Sequence, residues 1–362
     1  MVPASLFTPD FLLSRERRRW TVALCGTGSI LFGCFLFAVG YGAMPISPEK
    51  TLSILAAHIG IELPWSYSQR EELVLTAIRL PRACLAVLAG AGLAVSGAAL
   101  QGLFRNPLAD PALIGVSNGA ALAAVAVLVV GASIGLTALL PIEYLLPLAA
   151  FIGGLVAVYT VYLLADRGGQ TDVATMLLGG ISISAIAGAG IGFFIFISTE
   201  QQLRDLSFWM MGSLGGITWT RLVPVAPLIL LGVVGLPLLS RYLDVILMGE
   251  TEAHHLGFNV ERTKRLIIVL TALTTGASVA VTGVIGFVGL VVPHLVRLVA
   301  GPGNRIVLTG SIGLGAALLL LADLVARTVV LPAEMPIGIL TSCIGGPFFL
   351  WLLVRRKKTE RW

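Results

Sequence analysis

Apolar and polar positions along this chain segregate into long blocks, and the polar blocks between them are short. A hydrocarbon core of about 30 Å requires about 20 consecutive apolar residues in a helix, and blocks of roughly that length occur ten times. The pattern therefore predicts an all-α polytopic membrane protein. Its ten transmembrane helices form one domain, 20–354, flanked by an N-terminal tail, 1–19, and a basic tail, 355–362. The ten apolar blocks are 20–43, 83–104, 112–131, 144–165, 173–198, 222–239, 266–282, 283–299, 306–326 and 335–354.

The seventh and eighth blocks form one stretch, 266–296, that carries no charge. It is too long for one span and barely long enough for two. Three glycines and Pro293 interrupt its second half, and irregular backbone at membrane depth is tolerated where it is buried in protein or faces a cavity. We expect a tight hairpin with a short or discontinuous helix here.

Basic residues are distributed unevenly between the two faces that ten spans define. Arginines precede the first block in RERRRW and a basic cluster follows the last block, so the positive-inside rule places both termini in the cytoplasm. With this orientation 17 of the 24 lysines and arginines face the cytoplasm, which supports the count of ten. The seven on the outer face are Lys50, Arg70, Arg79, Arg82, Arg204, Arg221 and Arg327.

Composition excludes several classes of protein. Only 12% of the residues are charged, against about 25% in soluble domains. The net charge of +5 comes from residues at the ends of apolar blocks, which is the pattern of membrane orientation and argues against nucleic-acid binding. The first block is too long for the core of a signal peptide. The four cysteines lie in apolar blocks without metal-ligand spacing.

Catalytic machinery is nearly absent from the sequence. None of the four lysines follows a glycine in a G-x-x-x-x-G-K loop, so we expect no ATP site of the P-loop kind in this chain, and we expect neither an enzyme nor a metal site. Asp323 is the one acidic residue well inside an apolar block, whereas an ion-coupled carrier usually holds a carboxylate at mid-membrane. A secondary transporter therefore stays the remote alternative.

Two polar stretches leave alternatives open. The cytoplasmic stretch 240–265 predicts one or two short amphipathic helices across the inner surface, either as a solvated connector or as a docking element for another protein. The outer stretch 203–216, LRDLSFWMMGSLGG, is either an aromatic belt at the interface or a short helix at the mouth of a pathway.

Several motifs, in order along nearly the whole chain from about residue 20, resemble the membrane permease subunits of ABC importers for iron–siderophores, haem and vitamin B12, the FecCD/BtuC-like permeases. They include QGLFRNPLADPALIGVSNGAA, FWMMGSLGG, GETEAHHLGF, VTGVIGFVGLVVPHLVRLVAGPGNR and AEMPIGILTSCIGGPFFLWLL. The segment EQQLRDLSFWMMGSLGGITW, 200–219, is most similar to the haem-import branch.

The resemblance implies an assembly in the bacterial inner membrane. A homodimer of the permease would form the pathway, two ABC ATPase subunits would bind below and hydrolyse ATP, and a periplasmic binding protein would dock on top. No cofactor would be permanently bound. The cargo would be haem, with ferric siderophores or cobalamin as the alternative within the family.

The resemblance also implies roles for particular residues. The loop 241–265 corresponds to the coupling helices that contact the ATPase, the segment after the fourth helix to an inner gate, and the fifth helix with the short helix after it to the pathway lining. Coupling residues would be Met248, Gly249, Glu250, Glu252, Ala253, His254, Leu256 and Gly257. Inner-gate residues would be Thr171, Asp172, Val173, Ala174 and Thr175, and pathway residues Ile181, Ala185, Gly188, Phe208 and Met211.

Three outer arginines, Arg79, Arg82 and Arg327, match the family positions that pair with carboxylates of the binding protein. Arginine forks pair bidentately with carboxylates, and such pairs speed encounter and determine register. Arginines that snorkel to the headgroups are the alternative. Glu71 and Glu72 lie close in sequence, so an internal pair with Arg79 or Arg82 is a further possibility.

Overall fold

The computed structural model describes residues 9–42 and 44–359, which form sixteen α-helices and one small β-hairpin. The helices are α1 (Pro9–Gly40), α2 (Pro48–Ala57), α3 (Gln69–Leu73), α4 (Leu80–Leu103), α5 (Val116–Val130), α6 (Leu136–Leu139), α7 (Ile142–Ala165), α8 (Val173–Ile197), α9 (Glu200–Met211), α10 (Trp219–Leu238), α11 (Ser240–Ile246), α12 (Glu250–His255), α13 (Val260–Thr282), α14 (Val288–Ala300), α15 (Asn304–Ala326) and α16 (Ile337–Thr359). The hairpin pairs β1 (Asp166–Arg167) with β2 (Gln170–Thr171) in antiparallel register. A π-helical turn joins α3 to α4, and a 3₁₀ turn precedes α5.

Ten of these helices correspond to the ten predicted spans. Six are long and apolar enough to cross a membrane: α4 with the turns before it, α7, α8, α10, α13 and α15. Shorter apolar helices within α1, α5, α14 and α16 account for the other four among the described residues. The all-α polytopic fold is therefore confirmed, and these ten helices are consistent with the predicted count of ten spans.

Helix boundaries differ from the apolar blocks where polar residues join a helix. Helix α1 begins at Pro9, so residues 9–19 of the predicted tail are helical. Helix α13 begins at Val260, six residues before the apolar block, because the Asn259 side chain accepts the Arg262 amide at 2.9 Å and caps a polar first turn. The tail residues 1–8 and 360–362 lie outside the described residues. So do the basic side chains on which the orientation of the tails depends.

The predicted discontinuity after α13 is confirmed. Helix α13 ends at Thr282, five residues without helix follow, and α14 has only 13 residues. Gly283 and Phe287 both have positive φ, 68° and 69°. The Thr282 carbonyl lies at the end of α13, and it accepts the Ser213 amide of another segment at 2.7 Å. This bond satisfies a backbone acceptor at the end of the helix.

Helix α4 forms the centre of the domain, and its small residues permit close helix packing. A methyl group on Gly90 would collide with the Gly315 carbonyl of α15, and one on Gly97 would collide with the Gly289 backbone of α14. Van der Waals contact of this kind drives helix association in lipid, where no hydrophobic force acts between helices. The close packing places the N-terminal end of α4 against the C-terminal end of α15.

Candidate functional site

Arg79, at the end of the π-helical turn before α4, is buried and bonded within its own chain. Its side chain is 5% exposed, and its guanidinium donates to the carbonyls of Val39 at 3.0 Å, Gly40 at 2.7 Å and Met44. These carbonyls lie at and just beyond the C-terminal end of α1, where no intrahelical donor is available. The guanidinium therefore holds α1 against α4, and this geometry leaves it no surface for an external carboxylate.

Arg82 lies one turn further into α4 and joins three elements. Its Nε donates to Asp323 Oδ1 of α15 at 2.8 Å, and its Nη1 donates to both oxygens of Glu334 at 2.8 and 3.0 Å. Arg82 and Asp323 are buried, whereas the Glu334 side chain is 48% exposed. Two carboxylates from distant parts of the chain thus occupy the fork expected to receive one from another protein.

Arg327 completes this arginine–carboxylate cluster. Its Nε lies 3.7 Å from Asp323 Oδ2, its Nη2 donates to the Ala38 carbonyl, and its side chain is 10% exposed. Of the three arginines expected at a docking surface, Arg79 and Arg82 are therefore buried and Arg327 is partly buried, and each bonds internally. A charged group without a partner is costly at low dielectric, which is the physical reason for this arrangement.

Glu71 does not pair with either arginine, contrary to one predicted possibility. It accepts from Lys50 Nζ at 2.8 Å and forms a capping box with Ser68 at the start of α3. Asp323 and Glu334 take the place expected for Glu71 or Glu72. The spacing of Asp323 four residues before Arg327 was the one sequence signal for this cluster.

The predicted pathway residues lie on exposed surfaces of this chain. Ile181, Ala185 and Gly188 follow one another at helical spacing on α8, and all three are exposed. Helix α8 is among the least covered spans, with Met176, Gly179, Gly180, Ala187 and Ile191 as its buried residues. On α9, Phe208 is exposed and Met211 is partly covered. The predicted short helix at 203–216 is present as α9, which is anchored to α5 because Gln202 donates to the Val129 carbonyl at 3.0 Å.

The predicted inner-gate segment begins at Thr171, the last residue of the β-hairpin. Asp172 caps α8 by accepting the Ala174 amide at 3.1 Å, and it accepts the Thr175 hydroxyl at 2.7 Å. The Thr175 hydroxyl, with the Ala174 amide and Arg167, holds the pKa of the Asp172 carboxyl below its usual value. Thr171 is buried, so its side chain supports the segment without lining an opening, whereas Ala174 is exposed.

The predicted coupling stretch forms two short helices, α11 and α12, with a break at Gly249, whose φ of 135° favours glycine. Met248 is 68% exposed. The exposed residues of the stretch 248–257 form the surface of α12. They are Met248, Glu250, Thr251, Glu252, His254, His255, Leu256 and Gly257. This surface adjoins a groove of about 800 Å³ between α12 and the β-hairpin.

Ala253 was wrongly placed on that surface by sequence reasoning. It is fully buried against Ile246 and Val260. In a helix of six residues, one position in each turn must cover the domain beneath, and the smallest side chain fills it here. Ala253 therefore packs α12 onto the membrane domain and is not available to a partner.

Three polar ties of the coupling helices were not predicted. Asp244 of α11 accepts both the backbone amide and the side-chain amide of Asn304 at 3.1 and 2.8 Å, and Arg105 donates to the Ile246 carbonyl. Lys264 of α13 donates to Glu250 of α12 at 2.7 Å.

Among residues 9–42 and 44–359, no group of three potential metal ligands lies together.

A bundle of membrane helices around a central glycine-rich helix, a break before the short helix α14 and paired surface helices define a multi-pass membrane permease. Residues 30–355 match the model of the FecCD transport family, and the chain belongs to that family.

Named relatives agree with this membership. The chain is 50% identical to the hemin transport system permease protein HmuU of Yersinia pestis, over 78% of this chain and 83% of the relative. It is 42% identical to the cobalamin import system permease protein BtuC of Halobacterium salinarum, over 82% of this chain and 77% of the relative. It is 37% identical to the vitamin B12 import system permease protein BtuC of Yersinia pseudotuberculosis, over 99% of both.

A solved structure has the same fold. It is described as an inward-facing conformation of a putative metal-chelate type ABC transporter. It matches with a TM-score of 0.79 and 31% identity, over 92% of this chain and 98% of the other.

Proposed function

We propose that this chain is the transmembrane permease subunit of an ATP-driven importer that moves haem across the bacterial inner membrane. The structural observation that carries the transport role is the exposed face of α8. Ile181, Ala185 and Gly188 present an apolar, small-residue surface that the chain itself does not cover. Such a surface suits a bulky cargo that must pass without being held tightly.

The proposal includes three kinds of partner. A second copy of the chain would complete the pathway along α8. Two ABC ATPase subunits would receive the exposed residues of α12 and supply ATP hydrolysis, and a periplasmic binding protein would dock on the opposite face. Both tails would then be cytoplasmic, no cofactor would be resident, and haem would be cargo only.

Haem is favoured as cargo by the 50% identity to a hemin permease, against 42% and 37% to cobalamin permeases. The test is uptake into proteoliposomes that hold this chain, its ATPase and its binding protein. Haem, cobalamin and a ferric siderophore are offered separately and then in competition. We expect ATP-dependent uptake of haem that excess cobalamin does not reduce, and preferential uptake of cobalamin or the siderophore would overturn the haem assignment.

The same vesicles separate this proposal from an ion-coupled carrier. Vesicles without the ATPase, or with an ATPase that binds but cannot hydrolyse ATP, should show no uptake. Uptake driven by an ion gradient alone would contradict the importer. Asp323, the buried carboxylate of α15, is paired with Arg82, which leaves it poorly suited to carry a coupling ion.

A further inference from the structure

The Lys264 ammonium group is buried at the cytoplasmic end of α13, and three different elements surround it. The side chain is 3% exposed. Its Nζ donates to Glu250 Oε2 of α12 at 2.7 Å, to Glu261 Oε1 of α13 at 3.0 Å and to the Thr171 carbonyl of β2 at 3.0 Å. An ammonium group has three protons, so these bonds use its whole donor capacity.

Glu261 extends the arrangement to the gate segment. Its second oxygen accepts the Thr171 backbone amide and the Thr171 hydroxyl, both at 3.0 Å. Thr171 is therefore held through its amide, its hydroxyl and its carbonyl. Asp172, the cap of α8, follows directly in sequence, so a shift of Thr171 displaces the start of α8.

The contact with Glu250 is the one most easily altered. Burying a cation is costly unless carboxylates compensate it, which ties Lys264 to its partners. Glu250, however, is 49% exposed and lies in the six-residue helix α12. A movement of α12 therefore changes the surroundings of a buried charge, and the Thr171 carbonyl is bonded to the same charge.

The neighbouring Arg265 provides a natural comparison. It donates to the Gly169 carbonyl in the tip of the β-hairpin at 3.3 Å and is exposed to solvent. It contacts the same hairpin from the same helix turn, but its described bond does not include α12. A role that depends on joining α12 to the gate should belong to Lys264 and not to Arg265.

We propose that Lys264 is a positioning residue that couples α12 to the inner gate, so that a displacement of α12 by the ATPase reaches Thr171 and α8 through this buried cation. The inference rests on the proposed function, because it takes the ATPase as the source of the displacement.

The test measures the gate and transport together in the complex with the ATPase. Spin labels at Ala174 of both copies report the gate distance with and without ATP, alongside ATP hydrolysis and haem uptake. Lys264→Met should keep ATPase binding and hydrolysis, lose the ATP-dependent change in distance and lower uptake per ATP on the order of tenfold. Lys264→Arg should recover part of both effects, and Arg265→Met should match the wild type.

Glu250→Gln keeps the bonds among Lys264, Glu261 and Thr171. It therefore tests the role of Lys264 if Lys264→Met does not assemble. Glu250 also lies on the surface proposed to meet the ATPase, so its variant is measured at saturating ATPase. Under that condition it should weaken the ATP-dependent distance change. The role of Lys264 would be overturned if Lys264→Met shows gate movement and uptake per ATP equal to the wild type. If Lys264→Met does not assemble, the same result in Glu250→Gln would overturn it. Failure of the wild type itself to show ATP-dependent uptake would instead overturn the proposed function.

Discussion

Arg82 Nε and Asp323 Oδ1 lie 2.8 Å apart in the buried contact between α4 and α15, although 241 residues separate them in sequence. Removing one partner of a buried pair costs about 3–5 kcal/mol when the remaining charge has no other partner. Here the remaining charge loses its closest buried partner but keeps a weaker one, because Asp323 Oδ2 lies 3.7 Å from Arg327 Nε and Arg82 still bonds to the half-exposed Glu334. The cost of each single change should therefore fall below that range. We expect Arg82→Met and Asp323→Asn each to lower the unfolding midpoint in detergent by several degrees. The double variant should lose less than the two single losses together, since neither charge is then left alone. Additive losses would show that the pair does not couple the two helices.

Glu334 competes for Arg82 with any carboxylate that approaches from outside. It is the half-exposed partner in the arginine–carboxylate cluster, and its loss would release Arg82 Nη1. If Arg82 takes part in docking, Glu334→Gln should raise the association rate of the binding protein at low salt and steepen its salt dependence. The matched control is Glu143→Gln, which breaks the exposed pair with Arg221 at 2.8 Å. Slower association of the Glu334 variant would mean that Glu334 itself attracts the partner.

The Asp172 carboxylate should make the start of α8 sensitive to acid. Its pKa is lowered in the folded protein, so the stability it contributes is present above its unfolded pKa of about 4 and is lost as pH falls through the folded value. Hydrogen exchange at residues 172–176, corrected for intrinsic rates, should lose protection as the pH falls below about 4. In Asp172→Asn this dependence should disappear. An unchanged profile in the variant would assign the effect to another group.

Single cysteines should map which face of α12 meets the ATPase. With Cys25, Cys34, Cys84 and Cys343 replaced, cysteines at Met248 and Thr251 should cross-link to cysteines on the ATPase surface, because both positions are exposed. A cysteine at Ala253 should not, because that position is fully buried. Cross-linking at Ala253 without loss of folding would contradict the packing of α12.

Local features of the chain were readable from the sequence because they depend on short-range physics. The length of an apolar block determines whether a helix can span lipid, and this was sufficient to predict ten spans. Gly283 and Gly286 lie in the break between α13 and α14, as predicted, whereas Gly289 and Pro293 lie inside α14. The start of α13 was missed by six residues, since a polar first turn capped by Asn259 carries no apolar signal.

The sequence by itself determined the class of protein, a count of apolar blocks with which the described helices are consistent, the break before α14 and the presence of short helices in 240–265. Only the tertiary structure decided that Arg82 bonds to Asp323 and Glu334, that Arg79 bonds to the end of α1, and that Lys264 joins α12 to Thr171. The physical reason is that a buried charge takes whichever partner the packing of distant helices brings within about 3 Å. Likewise, whether Ala253 faces a partner or the domain depends on the surface beneath α12, which no local pattern of six residues encodes.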